Sequence, residues 1–145
     1  MTHATSSPAS GLRSLSISDV LLRVLAVAGL GISAYVHLHL ASSYPVGDTI
    51  TQADLFYAQG AVAVVVGLWL LVTGHRLAWL TAALVAAASL GAVLLYRYVD
   101  VGSIGPIPNM YEPVWFTEKT VSAIAEAATV VLWLAHEVTR IARRR

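Results

Sequence analysis

The sequence has no cysteine, which excludes disulfide frameworks, thiol redox chemistry and cysteine-ligated metals. It has little charge: 12% of its residues are Asp, Glu, Lys or Arg against 57% hydrophobic, a balance outside the soluble range. Lysine is nearly missing, Lys119 being the single one among nine basic residues. Phosphate-binding glycine loops, serine-nucleophile motifs and the basic footprint of a nucleic-acid binder are also lacking. What is present is one domain's length of chain, 145 residues, whose natural solvent is lipid.

Four apolar runs, 19–41, 53–73, 77–99 and 116–138, can each cross a hydrocarbon core of roughly 30 Å, which takes about 20 helical residues. The turn Gly74-His75-Arg76 is so short that the runs on either side of it must be antiparallel neighbours. The expected fold is all-α, a four-transmembrane-helix antiparallel bundle occupying residues 19–139. Residues 1–18 are small, polar and aperiodic and read as a disordered tail; residues 140–145 read as a basic tail suited to anionic lipid. The first run is too long for a secretory signal and contains His37 and His39, so it reads as an uncleaved span. Arg13, Arg23, Arg76, Arg140, Arg143, Arg144 and Arg145 lie towards one side; Asp48, Asp54, Asp100, Glu112 and Glu118 collect on the other. By the positive-inside rule both termini are cytoplasmic, in a multi-pass protein of the plasma membrane.

Close packing is expected at Gly29 with Ser33, and at Ala83, Ala87 and Gly91 at four-residue steps; in the second span Gly60 and Gly67 adjoin the side that carries Gln59, Ala63, Val66 and Leu70. Arg23, one turn inside the first span, is expected to snorkel back to the headgroups. Thr51 and Asp54 make a weak capping box, Asp standing where Glu or Gln is usual. The connection before the fourth span holds Pro106, Pro108 and Pro113 with an apolar fringe, which predicts a stiff cap at the interface.

The fourth span carries the strongest functional signal. At about 100° per residue, Glu118, Ser122, Glu126, Thr129, Trp133 and His136 fall within an arc of about 80°. Hydrocarbon offers a carboxylate no partner, so the other spans must cover this stripe. A charge at a helix centre costs roughly 2.5–3.5 kcal/mol, while each Leu, Ile or Val returns about 0.3–0.6. The span is therefore marginal alone, and Glu126 must face the bundle interior, carrying a proton or paired with a cation. Its functional readings are a proton relay, a ligand anchor or a catalytic acid; a structural hydrogen bond to a neighbouring helix is the plain alternative.

His37 and His39 are about 200° apart on a helix and cannot share a metal site. His37 shares its side with Ala26, Leu30 and Ser33 and is expected inside, with His39 towards headgroups or loop; no metal is assigned. His75 and His136 lie together at headgroup level, a poor setting for haem. Arg97 is expected to snorkel and pair with Asp100, the alternative being an inward salt bridge to Glu118. Tyr44, Tyr96, Tyr98, Tyr111 and Trp115 form an aromatic belt, or in part the mouth of a lipid or quinone pocket.

Short inner turn, polar outer ends and segments such as YVHLHLASSYPVG (residues 35–47) followed by LFYAQG (residues 55–60) make the chain resemble the small bacterial DoxX-like four-helix membrane proteins. The resemblance covers most of residues 19–139. It implies the four-helix fold, and it points to a group linked to quinone-coupled sulfur oxidation and to accessory roles beside oxidoreductases. No catalytic motif carries over residue by residue. The expectation is a protein without catalytic activity of its own: an accessory or small-ligand- or lipid-binding protein whose outward-opening pocket is lined by Glu126, His37, Gln59, Tyr96 and Arg97, with Glu118 and Ser122 as further candidates. Alternatives are a quinone-linked oxidoreductase or its subunit, in which Glu126 and His37 move protons to the quinone oxygens, and a proton-coupled transporter. Membrane lipids, a larger membrane complex or further copies of the chain are the expected partners.

Overall fold

The computed structural model describes residues 16–47 and 49–145, so most of the expected amino-terminal tail, with Arg13, and Asp48 lie outside the described residues. Four helices, α1 (Ile17–Ala41), α2 (Gln52–Thr73), α3 (Arg76–Tyr98) and α4 (Thr117–Ala142), are each long and apolar enough to cross a membrane. They form an all-α four-helix bundle. In ring order α1 packs on α2 and α4, and α3 completes the square against α2 and α4. The connections α1–α2 and α3–α4 share one end, here the loop end; the α2–α3 turn sits at the other, terminal end with the last residues of α4.

Local chemistry sets the helix limits. Thr51 and Asp54 form a complete capping box: the Thr51 N–H donates to Asp54 Oδ2 at 2.9 Å, and the Asp54 N–H donates to Thr51 Oγ1 at 3.3 Å. Asp therefore serves where the longer Glu was expected, because its shorter arm still reaches the N-cap amide. At the far end of α2, Gly74 adopts a left-handed φ of 57° and its N–H caps Leu70 O at 2.9 Å. Arg23 lies over that glycine, where a Cβ would stand 2.5 Å from its guanidinium carbon, and donates to Leu71 O at 3.3 Å. The arginine thus turns back towards the terminal end and sets its charge against the Leu71 carbonyl at the close of α2. The last helix runs to Ala142, beyond the expected end of the span at Val138. Arg140 pairs there with Glu137, and Arg143 reaches across to Asp19 at the start of α1.

Interhelical contact is made by small residues, as expected where lipid removes the hydrophobic drive and van der Waals packing remains. A Cβ on Gly29 would collide with Thr129 Oγ1 and approach Ala125 O at 3.0 Å, so α1 and α4 meet backbone to backbone. At Gly60 it would stand 2.6 Å from Leu38 Cγ. The expected Ala83–Ala87–Gly91 strip is corrected: Ala87 is exposed and Gly91 has open space around it. The buried strip of α3 is Ala78, Ala82, Ala86 and Ser89. A four-residue step drifts round the helix by about 40°, and Ala83 already stands at the edge of the buried face, so the next step to Ala87 leaves it.

The interior has two zones. Towards the terminal end it is apolar, built from Ala26, Leu30, Ala63, Leu70, Trp79 and Ala82. Towards the loop end it is polar, with Ser33, His37, Ser89, Ser122, Glu126 and Thr129 all buried. Residues 99–116 fold over that end. Ile104 and Ile107 exchange backbone hydrogen bonds at 3.0 Å around Gly105-Pro106, Asn109 donates to Asp100 at 2.9 Å, and the Glu112 N–H donates to Tyr96 O at 3.0 Å. The stiff cap expected from its prolines is thereby held by hydrogen bonds as well.

Candidate functional site

The polar zone centres on Glu126, 1% exposed. Its Oε1 accepts hydrogen bonds from three serine hydroxyls: Ser33 of α1 at 2.8 Å, Ser89 of α3 at 2.7 Å and Ser122 of α4, one turn earlier, at 2.8 Å. One carboxyl oxygen therefore ties three helices together. The other, Oε2, is buried with no hydrogen-bond partner among the described residues. No Lys, Arg or His nitrogen among the described residues lies within ion-pair distance of the carboxyl group. Buried polar atoms are nearly always satisfied, so an unpartnered carboxyl oxygen sets Glu126 apart from an ordinary buried acid.

His37, one turn beyond Ser33 on α1, is 7% exposed. Its Nδ1 lies 2.8 Å from Ser33 O. A carbonyl can only accept, so Nδ1 carries a proton and donates to it. The other nitrogen, Nε2, faces Ser89 Oγ at 3.4 Å. The ring stands edge-on to Phe56 of α2, centroids 5.3 Å apart and planes at 87°, and Tyr44 meets the same phenyl ring at 5.3 Å and 88°.

Above these groups is a cavity of about 100 Å³. Its polar floor is His37, Ser89 and Ser122; Val93 and Tyr96 belong to its walls, and Met110 and Glu112 come from the cap. Lys119 also lines it, with Nζ donating to the cap carbonyls of Glu112 at 2.8 Å and Val114 at 3.0 Å. Tyr44 borders the cavity from the α1–α2 loop. Burial and then the Glu112 charge push its hydroxyl pKa above the usual tyrosine value, against a hydrogen bond from Gln52, so Tyr44 stays a neutral donor.

Of the residues singled out from sequence, His37, Tyr96 and Ser122 line the cavity, whereas Glu126 does not line it and meets it through Ser89 and Ser122. His39 is exposed and stacks on Tyr35, as its helix position implied. Gln59, Arg97 and Glu118 do not line this cavity. Gln59 is half-buried on α2 with Nε2 unpartnered. Arg97 lies over the rings of Tyr98 at 4.9 Å and Trp115 at 5.8 Å, where the π faces take the place of both expected ion pairs. Asp100 is instead engaged by Asn109. Glu118 borders a lateral groove between α1 and α4 beside Tyr35 and Val121. His75 caps α3 by accepting from the Leu77 N–H at 3.3 Å, and His136 stacks on Trp79 at 4.5 Å. Among the described residues no three His, Asp or Glu gather as a metal set.

Ser33 and Ser89 were not recognised from sequence as partners of the carboxylate. Ser33 stood out only as a small residue. Ser89 continues the Ala78, Ala82, Ala86 face and is the buried hydroxyl on it, a signal that was available once that face was chosen correctly.

Compared with protein-family models, curated proteins and solved structures, the chain gives no match. The expected DoxX-like family is therefore not supported, and what stands is the architecture: a compact bundle of four membrane-spanning apolar helices with an internal polar network.

Proposed function

We propose that this chain is a ligand-binding membrane protein whose loop-end pocket receives the head of a small amphipathic molecule or lipid, and that it works as an accessory component in the plasma membrane with the pocket facing outward. The reading rests on one observation: an apolar-walled cavity has a convergent polar floor, two of whose hydroxyls, Ser89 and Ser122, are held by one buried carboxyl group behind them. Apolar walls suit a tail or ring, and the few polar groups fix a head.

The test is to purify the protein in mild detergent, extract what is bound and identify it by mass spectrometry, beside a Val93→Trp variant that fills the wall. A stoichiometric amphipath in the native protein, lost in a variant whose circular dichroism and gel-filtration profile are unchanged, is the expected result. The same lipid mixture from both would sink the reading.

A quinone-linked oxidoreductase is the second reading, supported by the succession His37, Ser89, Glu126 leading from the cavity to a carboxyl group. Stoichiometric quinone in the extract would favour it.

A further inference from the structure

The polar floor of the pocket can be read as a set of hydrogen-bond vacancies. His37 Nδ1 holds the ring proton and spends it on Ser33 O at 2.8 Å. In the neutral ring Nε2 is then an acceptor without a proton. The hydroxyl nearest to it, Ser89, is 3.4 Å away and directs its own proton to Glu126 Oε1 at the shorter distance of 2.7 Å. Ser122 is committed to the same oxygen at 2.8 Å. Glu126 thus draws off the hydroxyl protons of the floor and leaves His37 Nε2 with the long contact to Ser89 Oγ and no committed donor. A ligand head that donates satisfies this atom; one that only accepts does not.

Ring chemistry narrows the head further. Tyr44, Phe56, Tyr96 and Phe116 line the cavity, and Phe56 already meets His37 and Tyr44 edge-on at 5.3 Å. Such edges and faces favour an aromatic ring over an aliphatic head. Lys119, the one Lys or Arg lining the cavity among the described residues, is engaged with the Glu112 and Val114 carbonyls, which argues against a cavity built around an anion.

We propose that the pocket selects a neutral aromatic head bearing a hydroxyl group, which donates its hydrogen bond to His37 Nε2. This rests on the ligand-binding reading above and assigns the ligand's chemical class. By the same bookkeeping, a head whose oxygens are all acceptors, such as a quinone or an aryl ether, leaves Nε2 unfilled.

The test uses the full chain in lipid nanodiscs with two probes that differ in one proton, 4-octylphenol and its methyl ether 4-octylanisole, with binding followed by isothermal titration. The phenol is expected to bind about tenfold more tightly to the native protein, the worth of one well-placed hydrogen bond. His37→Phe should erase that preference. Spectra of ¹⁵N-histidine-labelled protein supply a readout independent of ligand and variants: protonated Nδ1 with bare Nε2 is expected at His37, and the opposite tautomer overturns the proposal. Equal affinity for the two probes in native protein overturns the assignment of class alone. Binding of neither probe, with no amphipath in the purified protein, overturns the pocket reading and this proposal with it.

Discussion

Replacing Glu126 by leucine should separate a structural network from an isolated buried acid. The change removes the acceptor of three hydroxyls, on Ser33, Ser89 and Ser122. A buried hydroxyl left unpaired costs about 1–3 kcal/mol, which sums to about 3–9 kcal/mol for the three. Each serine lies on a helix and can turn to the carbonyl four residues back, so the lower end applies, about 3 kcal/mol. Glu126→Gln keeps an oxygen where Oε1 sits and places an amide at the vacant Oε2 position; about 1 kcal/mol or less should be lost. Combining Glu126→Leu with Ser33→Ala, Ser89→Ala and Ser122→Ala removes donors and acceptor together and should recover most of the loss. Reversible unfolding in mixed detergent–SDS micelles, followed by circular dichroism and by the fluorescence of buried Trp79, measures all three. The reasoning fails if Glu126→Leu is as stable as the native protein, or if the combined variant is no better than the single one. Loss of folded Glu126→Gln would instead require a charged carboxylate that the geometry does not pair.

Three further outcomes follow from particular contacts. Gly29→Val should weaken the bundle by about 1–3 kcal/mol through overpacking against Thr129, whereas Gly91→Ala, facing open space, should leave it unchanged in the same unfolding assay. Thr51→Ala should cost about 1 kcal/mol by opening the capping box, seen as faster amide exchange in the first turn of α2. In an ultraviolet titration, the component missing from Tyr44→Phe should ionise above the ordinary tyrosine value of 10.0, since burial and Glu112 raise it. Because the folded state holds that proton more tightly than the unfolded chain, the associated stability is complete below the unfolded value and lost as pH rises past it.

The fold was legible because a membrane span must be long and apolar whatever it packs against. Helix orientation was legible where periodicity was strong: the polar stripe of α4 and the opposite facing of His37 and His39 both depend on residue spacing alone. Partners across the bundle were not, because spacing says which face a residue shares and nothing of what stands opposite. Arg97 illustrates the limit. Its two expected carboxylates are near in sequence or matched in depth, but the guanidinium meets Tyr98 and Trp115, whose approach is set by the folded cap. Ser89 illustrates a different one, since a serine in an alanine-rich helix is ordinary until a carboxylate is known to face it.

The division of the interior bears on the transporter reading. Passage across the bundle would require the polar zone to continue to the terminal end, and it stops at Thr129, whose hydroxyl is spent on Ala125 O at 2.9 Å. Beyond it Leu30, Leu70 and Trp79, each no more than 2% exposed, close the centre, and His136 is stacked flat on Trp79. The four helices are continuous through this region, without the broken segments that let transporters expose a site alternately to two sides. Opening the terminal end would mean separating α1 from α4 where Gly29 lies against Thr129 and the Ala125 carbonyl. A pocket entered from the loop end and sealed below by packed apolar residues fits a site that holds its ligand and releases it on the side from which it came.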